Sequence, residues 1–283
     1  MRIPPEIAYA LVSLTCLGVS DFLYRWGHRS GLKGAPFMLL QNLAYIPTAV
    51  GMALLRDELV LSGALGYGFL NGLLAFTGFL LLLYALRLGE AVALVPIVRL
   101  NFVVTSLLTI YFVGESLSAT KAVAIGLAVC AIIAGGARVT AAARHRRELA
   151  MAIGAMLCFG FIGLFYKLGL RSGATPTAMV VAQSLGTFAL ALPFAIWRRD
   201  RLPRRGVQLW LPLICGVLLS ASYVALSIAF THGEAVVVAP IAQLSFVLTG
   251  VLAVLLLKEH LTPRKLVAVG CASLAVFVFA QGQ

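Results

Sequence analysis

Long apolar stretches separated by short polar turns run the length of this sequence, and ten of them approach the length of a membrane crossing. They cover roughly residues 7–26, 36–55, 60–86, 91–113, 120–137, 150–168, 176–197, 207–231, 235–257 and 265–281. A helix needs about 20 mostly apolar residues to cross lipid, and an unpaired backbone group in hydrocarbon costs several kcal/mol. The stretches at 120–137 and 265–281 are short by that measure. The punctuation supports the cuts. Gly34-Ala35-Pro36 and Thr175-Pro176 open the second and seventh stretches, and Gly89-Glu90 and Gly233-Glu234 divide third from fourth and eighth from ninth. Ser118 and Thr262 are natural N-caps, with Pro263 at a first helical position. The first stretch resembles a signal peptide in length, but it lacks a convincing cleavage site and contains Asp21, so it is expected to remain as a helix.

The pattern occurs twice. Gly89-Glu90-Ala91-Val92 with Pro96-Ile97 matches Gly233-Glu234-Ala235-Val236 with Pro240-Ile241, a shift of 234 − 90 = 144. The same shift carries Glu115 onto Glu259, Lys121 onto Lys265 and Gly126 onto Gly270. Nearer the start the shift is 142, taking Tyr24-Arg25 to Tyr166-Lys167 and Gln41 to Gln183. Several matches in one register make an internal repeat. Five crossings per repeat is an odd number, so the second copy must enter the bilayer upside down, as in many secondary transporters. The sequence therefore predicts an all-α membrane protein of ten transmembrane helices in two inverted five-helix repeats. The first repeat covers 1–138, a basic linker 139–149, and the second repeat 150–283.

Composition agrees with lipid as the solvent: 61% of the 283 residues are hydrophobic, 11% are charged, and mean hydropathy is +1.00. A soluble domain carries about 25% charged residues. The net charge of +12 could suggest nucleic acid, but the basic residues fall in short runs between apolar stretches. Arg144, Arg146 and Arg147 form one run, and Arg198, Arg199 and Arg201 belong to another. Such runs set topology and meet anionic lipid, and nucleic-acid binding is excluded on that pattern. Of the 22 Lys and Arg, 16 fall on the face holding loops 1–2, 3–4, 5–6, 7–8 and 9–10, five on the other, and Arg99 within a stretch. The positive-inside rule then places the basic loops in the cytoplasm and both termini outside, in the plasma (inner) membrane. The five cysteines form no CxxC pair and lie inside apolar stretches, so neither a disulfide framework nor a metal site is expected. No P-loop, HExxH or GxSxG occurs, so no cofactor and no enzyme activity are expected.

Tyr84-Ala85-Leu86-Arg87-Leu88-Gly89-Glu90-Ala91, then Val95-Pro96-Ile97 and Gly114-Glu115-Ser116-Leu117-Ser118, resembles the EamA domain. So does Gly233-Glu234-Ala235 through Pro240-Ile241 to Lys258-Glu259-His260-Leu261-Thr262-Pro263. The resemblance covers nearly the whole chain as two copies, within the drug/metabolite transporter superfamily. It implies ten helices, a central cavity between the repeats, and export or exchange of small metabolites or amino acids. It also implies that the fifth and tenth helices pack at a periphery or dimer contact. Two-domain members commonly keep both termini in the cytoplasm, which the charge count here contradicts.

Arg99 carries the most information about a site. An Arg at depth costs several kcal/mol unless paired, hydrated or snorkelling. Asp21 lies at similar depth from the same face, and the two are the only clear opposite charges within the stretches. They are expected to pair or to share the cavity. Their repeat counterparts are Gly163 and Gln243, so the charges belong to one repeat only. Either Arg99 anchors an anionic substrate group with Asp21 as competitor or proton carrier, or the pair is a static strut. Further cavity candidates are Gln41 and Tyr45, Gln183, Tyr223 on a face with Ser220 and Ser227, Tyr84, Asn101 and Gln243. At 100° per residue Asn101 stands about 200° from Arg99, so both are not expected to face one cavity squarely. Glu90 and Glu234 suit the N-terminal dipoles of the fourth and ninth helices, Glu115 and Glu259 suit loop stabilisation, and Lys167 suits a snorkelling anchor. Small residues such as Ala124, Gly126, Ala128 and Ala131 suit close packing, within the chain or in a homodimer through helices five and ten.

The function expected is secondary transport of a small polar or amphipathic metabolite by alternating access. Two alternatives remain: a component flipping lipids or lipid-linked sugars, and a membrane scaffold subunit without flux.

Overall fold

A computed structural model describes residues 4–29, 34–88, 91–135, 146–198, 206–257 and 262–281. Within these residues the chain forms α1 (Pro5–Arg29), α2 (Gly34–Leu55), α3 (Leu65–Leu88), α4 (Ala91–Arg99), α5 (Asn101–Val113) and α6 (Ala119–Gly135). The second half gives α7 (Arg146–Arg171), α8 (Pro176–Arg198), α9 (Val207–His232), α10 (Ala235–Gln243), α11 (Ser245–Leu257) and α12 (Pro263–Gln281). Among the described residues eight candidate spans are long and apolar enough to cross a membrane, and α6 and α12 contribute two shorter apolar helices. The ten expected stretches thus become ten helical units, two of them broken in the middle. The third begins at Leu65 rather than near residue 60, because Asp57 takes a left-handed backbone (φ 51°) and turns the chain first. The greater part of the linker, together with Glu90 and Glu259, lies outside the described residues.

Large apolar side chains cover the outside of the bundle: Leu43, Leu55, Leu107, Ile196 and Leu255 are all exposed. Water would not tolerate that surface and lipid does, so the chain is an integral multi-pass membrane protein. Trp197 and Trp210 are exposed on either side of the basic stretch that joins α8 to α9, the place for interfacial aromatics.

The halves exchange helices. α1 packs on α9, α10 and α11 of the second repeat, and α7 packs on α3, α4 and α5 of the first. α2 crosses α9 as α8 crosses α3. The contacts repeat in atomic detail. Thr105 donates to the Gly160 carbonyl (2.8 Å), and its counterpart Thr249 donates to the Gly18 carbonyl (2.9 Å). Both glycines are needed for the approach, since a Cβ on Gly160 would fall 2.6 Å from Val104 and one on Gly18 would fall 2.9 Å from the Ser245 carbonyl. Thr105→Val and Thr249→Val are each expected to cost about 0.6 kcal/mol, adding in the double variant because the sites are separate. Thermal unfolding in detergent would test this, and a loss in one repeat only would contradict equivalence.

α6 and α12 pack against each other within the chain. Ala124, Ala128, Ala131, Ala272 and Ala275 are buried there, so these alanines serve an intrachain contact, whereas Gly126 is exposed and takes no part in it.

The two breaks are equivalent as well, because 244 − 100 = 144. Leu100 separates α4 from α5, with its N–H on the Ile97 carbonyl (3.1 Å), and Leu244 separates α10 from α11, with its N–H shared between Pro240 (3.2 Å) and Ile241 (3.1 Å) carbonyls. Bonds to i−3 tighten the turn. Pro96 and Pro240 each remove one i→i−4 donor in the turn before.

Candidate functional site: a cavity between the exchanged halves

Between the exchanged helices lies a cavity of about 350 Å³, within the range for small-molecule sites. All of the long spans contribute to its wall. Its only charged lining residues, among those described, are Asp21 on α1 and Arg99 at the end of α4. They are ion-paired, Arg99 Nη2 donating to Asp21 Oδ2, with side-chain exposures of 23% for Asp21 and 18% for Arg99. Arg99 Nη1 also donates to Ser245 Oγ (2.9 Å) and to Gln243 Oε1 (3.3 Å). Gln243 is the repeat counterpart of Arg99 itself, so the one charged position and its neutral equivalent meet across the pseudo-symmetric centre. The guanidinium sits at the α4–α5 break, and its two neutral partners, Gln243 and Ser245, flank the α10–α11 break. Backbone loosened from regular helix is tolerated at such depth where it is buried in protein or lines a cavity.

Of the nine residues singled out from sequence, Asp21, Gln41, Tyr45, Arg99, Asn101, Gln183, Tyr223 and Gln243 line the cavity. Tyr84 does not: it lies near the end of α3, beyond the lining residues Phe79 and Leu82. The expectation that Asn101 and Arg99 would point apart is corrected. It assumed an unbroken helix, and the break at Leu100 resets the phase, with Asn101 Nδ2 donating back to the Val98 carbonyl (3.0 Å). Ser220 and Ser227 are buried but absent from the lining, whereas Ser222 is present, its hydroxyl 2.9 Å from that of Ser13. Sequence reasoning passed over Tyr24, Tyr166, Ser13, Ser222 and Asn42 as lining residues. Tyr24 and Tyr166 had a signal, since the repeat register pairs them.

Part of the wall is aromatic and amide-bearing. Tyr166 donates to Gln183 Oε1. The Tyr166 and Tyr223 rings stack at 6.3 Å, and Tyr45 meets Tyr223 edge-on at 6.3 Å. The Tyr45 hydroxyl and Gln41 Oε1 are buried without a hydrogen-bond partner among the described residues. Such atoms are costly unless water or a ligand answers them. The two glutamines are placed by glycines: a Cβ on Gly72 would stand 2.1 Å from the Gln183 carbonyl oxygen, and one on its counterpart Gly216 would stand 2.3 Å from that of Gln41.

Toward the end formed by the α5–α6, α7–α8 and α9–α10 turns the cavity is lined by Phe230, and an ionic network lies beyond it. Gly114 (φ 75°) ends α5 in a left-handed turn, after which Glu115 reaches the N-terminus of α10. Its two oxygens accept the N–H groups of Ala235 (2.8 Å) and Val236 (3.0 Å). Glu115 therefore caps the ninth span, the role expected of Glu234 from its position. Glu234 makes no side-chain cap and pairs with Lys121 instead. Lys167 is likewise no snorkelling anchor. It is 8% exposed, donates to the Phe230 (2.8 Å) and Gly233 carbonyls, and lies 3.4 Å from Glu115.

Residues 4–134 and 146–281 each match the EamA-like transporter family. The chain belongs to that family, as two EamA repeats. No curated protein matches it. A solved crystal structure of a protein is similar to this EamA-like chain with a TM-score of 0.77 and 16% identity over 96% of each chain. At that identity the likeness speaks for a shared fold. The boundary between the matched segments falls at 135–145, where the sequence carries Arg138 and Arg144.

Proposed function

We propose that this EamA-like protein is a secondary transporter, an exporter or exchanger, of a small polar or amphipathic metabolite carried through this cavity. Alternating access would come from two inverted repeats rocking about the broken helices. The observation that carries the reading is the Asp21–Arg99 pair inside a cavity between the exchanged halves. Its charges cancel, so the cavity is matched to a cargo with no net charge. A zwitterion such as an amino acid satisfies both members at once, its carboxylate at Arg99 and its ammonium at Asp21. A dianion would meet a single guanidinium already neutralised. The aromatic wall would hold the apolar part of the cargo.

In this reading the protein sits in the plasma (inner) membrane with the basic loops against cytoplasmic anionic lipid and the termini outside. Any homodimer would use the surfaces that α6 and α12 leave free. Proteoliposomes loaded with a panel of zwitterions, anions, cations and lipid headgroup reporters test the function. Flux confined to net-neutral small solutes is the expected result. Headgroup translocation without solute flux would replace transport by lipid flipping, and silence across the panel would remove it.

A further inference from the structure

We infer that Glu115 and Lys167, with Lys121 and Glu234 outside them, form the gate that seals the cavity at the end of the α5–α6, α7–α8 and α9–α10 turns. The inference rests on the transporter reading and assigns a moving part to it. Every member joins the same two groups of helices. Glu115, Lys121 and Lys167 come from the α5–α6 turn, α6 and α7, and what they hold is the end of α9 and the start of α10. The seam is held there by polar bonds: the Glu115 carboxylate on two amide N–H groups, the Lys167 ammonium on two carbonyls, and the Lys121–Glu234 ion pair, while the Glu115–Lys167 pair ties the two inner members together on one side. Polar bonds at a rim can be exchanged for water as the seam opens, whereas a dry apolar contact would expose hydrocarbon. Ser116 extends the seam outward, 3.4 Å from Glu234 and 3.1 Å from Lys121.

The network is joined to the cavity wall through Tyr166 and Phe230. Lys167 follows Tyr166, whose hydroxyl holds Gln183, and it donates to the carbonyl of Phe230, whose ring packs 6.1 Å from that of Tyr166. A cargo that shifts Tyr166 or Phe230 therefore shifts the ammonium that closes the seam. The four charges recur in the sequence at Glu259, Lys265, Glu90 and Arg25, so both halves encode one set.

The test reads accessibility and needs no substrate. Leu226 lines the cavity and is replaced by Cys in the full chain, reconstituted in liposomes. An impermeant maleimide is added from the side on which a separate Ser172→Cys reporter reacts, Ser172 being exposed at the α7–α8 turn. Labelling above that of the parent chain should rise about tenfold in Glu115→Gln and in Lys167→Met, as a closed population gives way to an open one. Unchanged labelling in either variant, with thermal unfolding like the parent, overturns the gate. Should both inner variants fail to fold, Lys121→Glu decides. It sets two carboxylates across the outer seam and should raise labelling about threefold, and no rise overturns the gate. Flat labelling with active solute flux faults the gate alone, and a rise in labelling with silent flux faults the cargo reading alone.

Discussion

Arg99→Gln is expected to lower solute flux in proteoliposomes by about a hundredfold while leaving a folded protein. The guanidinium makes three polar contacts in the cavity, to Asp21, Gln243 and Ser245. Glutamine can replace one neutral contact but neither the charge nor the fork. Losing a charged hydrogen bond to cargo costs about 1.5–3 kcal/mol, which at the upper end is about two decades in affinity. Stability should fall too, because Asp21 is left without its counter-ion. A fully buried broken pair costs about 3–5 kcal/mol. Here both side chains keep about a fifth of their exposure, so about 2 kcal/mol is expected. The double variant Asp21→Asn/Arg99→Gln separates the roles. It should recover most of the stability, since no charge remains unpaired, yet stay inactive. A double variant that moves solute at the parental rate would make the ion pair a strut and take the cargo anchor away.

Gly72→Ala should be the most damaging single-methyl change in the bundle. The added carbon would stand 2.1 Å from the Gln183 oxygen, 2.4 Å from the Thr187 nitrogen and 2.7 Å from the Gly186 carbonyl carbon. All three are backbone atoms of α8, so no rotamer change relieves the clash and the helices must separate. Overpacking of this kind costs about 3 kcal/mol, or roughly 5–10 °C in the unfolding midpoint. Gly216→Ala should behave alike through the Gln41 oxygen at 2.3 Å. Gly126→Ala is the control. Nothing lies within 4 Å of its added carbon, and the substitution should be neutral or gain up to about 1 kcal/mol of helix propensity. Equal melting of Gly72→Ala and Gly126→Ala would refute the close α3–α8 contact. Because both crossings fall at cavity glutamines, Gly72→Ala and Gly216→Ala should also weaken flux beyond what their stability explains.

The candidate site was legible in the sequence wherever depth and register decided membership. Asp21 and Arg99 stand out because charges in apolar stretches are few, and Gln41, Gln183 and Gln243 follow from the repeat shift. Tyr84 is a candidate by residue type and by its helix, and neither reports how far along the helix the cavity reaches. Asn101 failed differently, since constant helical phase was extended through a break.

Glu115 and Lys167 show where local reading ends. A carboxylate just before a short cap suggests a loop contact, and a lysine near a helix end suggests an anchor. Their partners lie 120 and 63 residues away, and no periodicity reports a partner at that range.

What the sequence determined by itself is what local physics dictates: long apolar runs must be helices in lipid, a register of 142 to 144 must be a duplicated unit, and a rare intramembrane charge must find a partner. The tertiary structure alone decided the exchange of α1 and α7 between halves, the breaks at Leu100 and Leu244, and the turning of Lys167 inward to carbonyls instead of outward to lipid. Those outcomes depend on which surfaces meet when the two copies pack, and hydropathy is nearly silent about that choice because lipid and helix interior are both apolar.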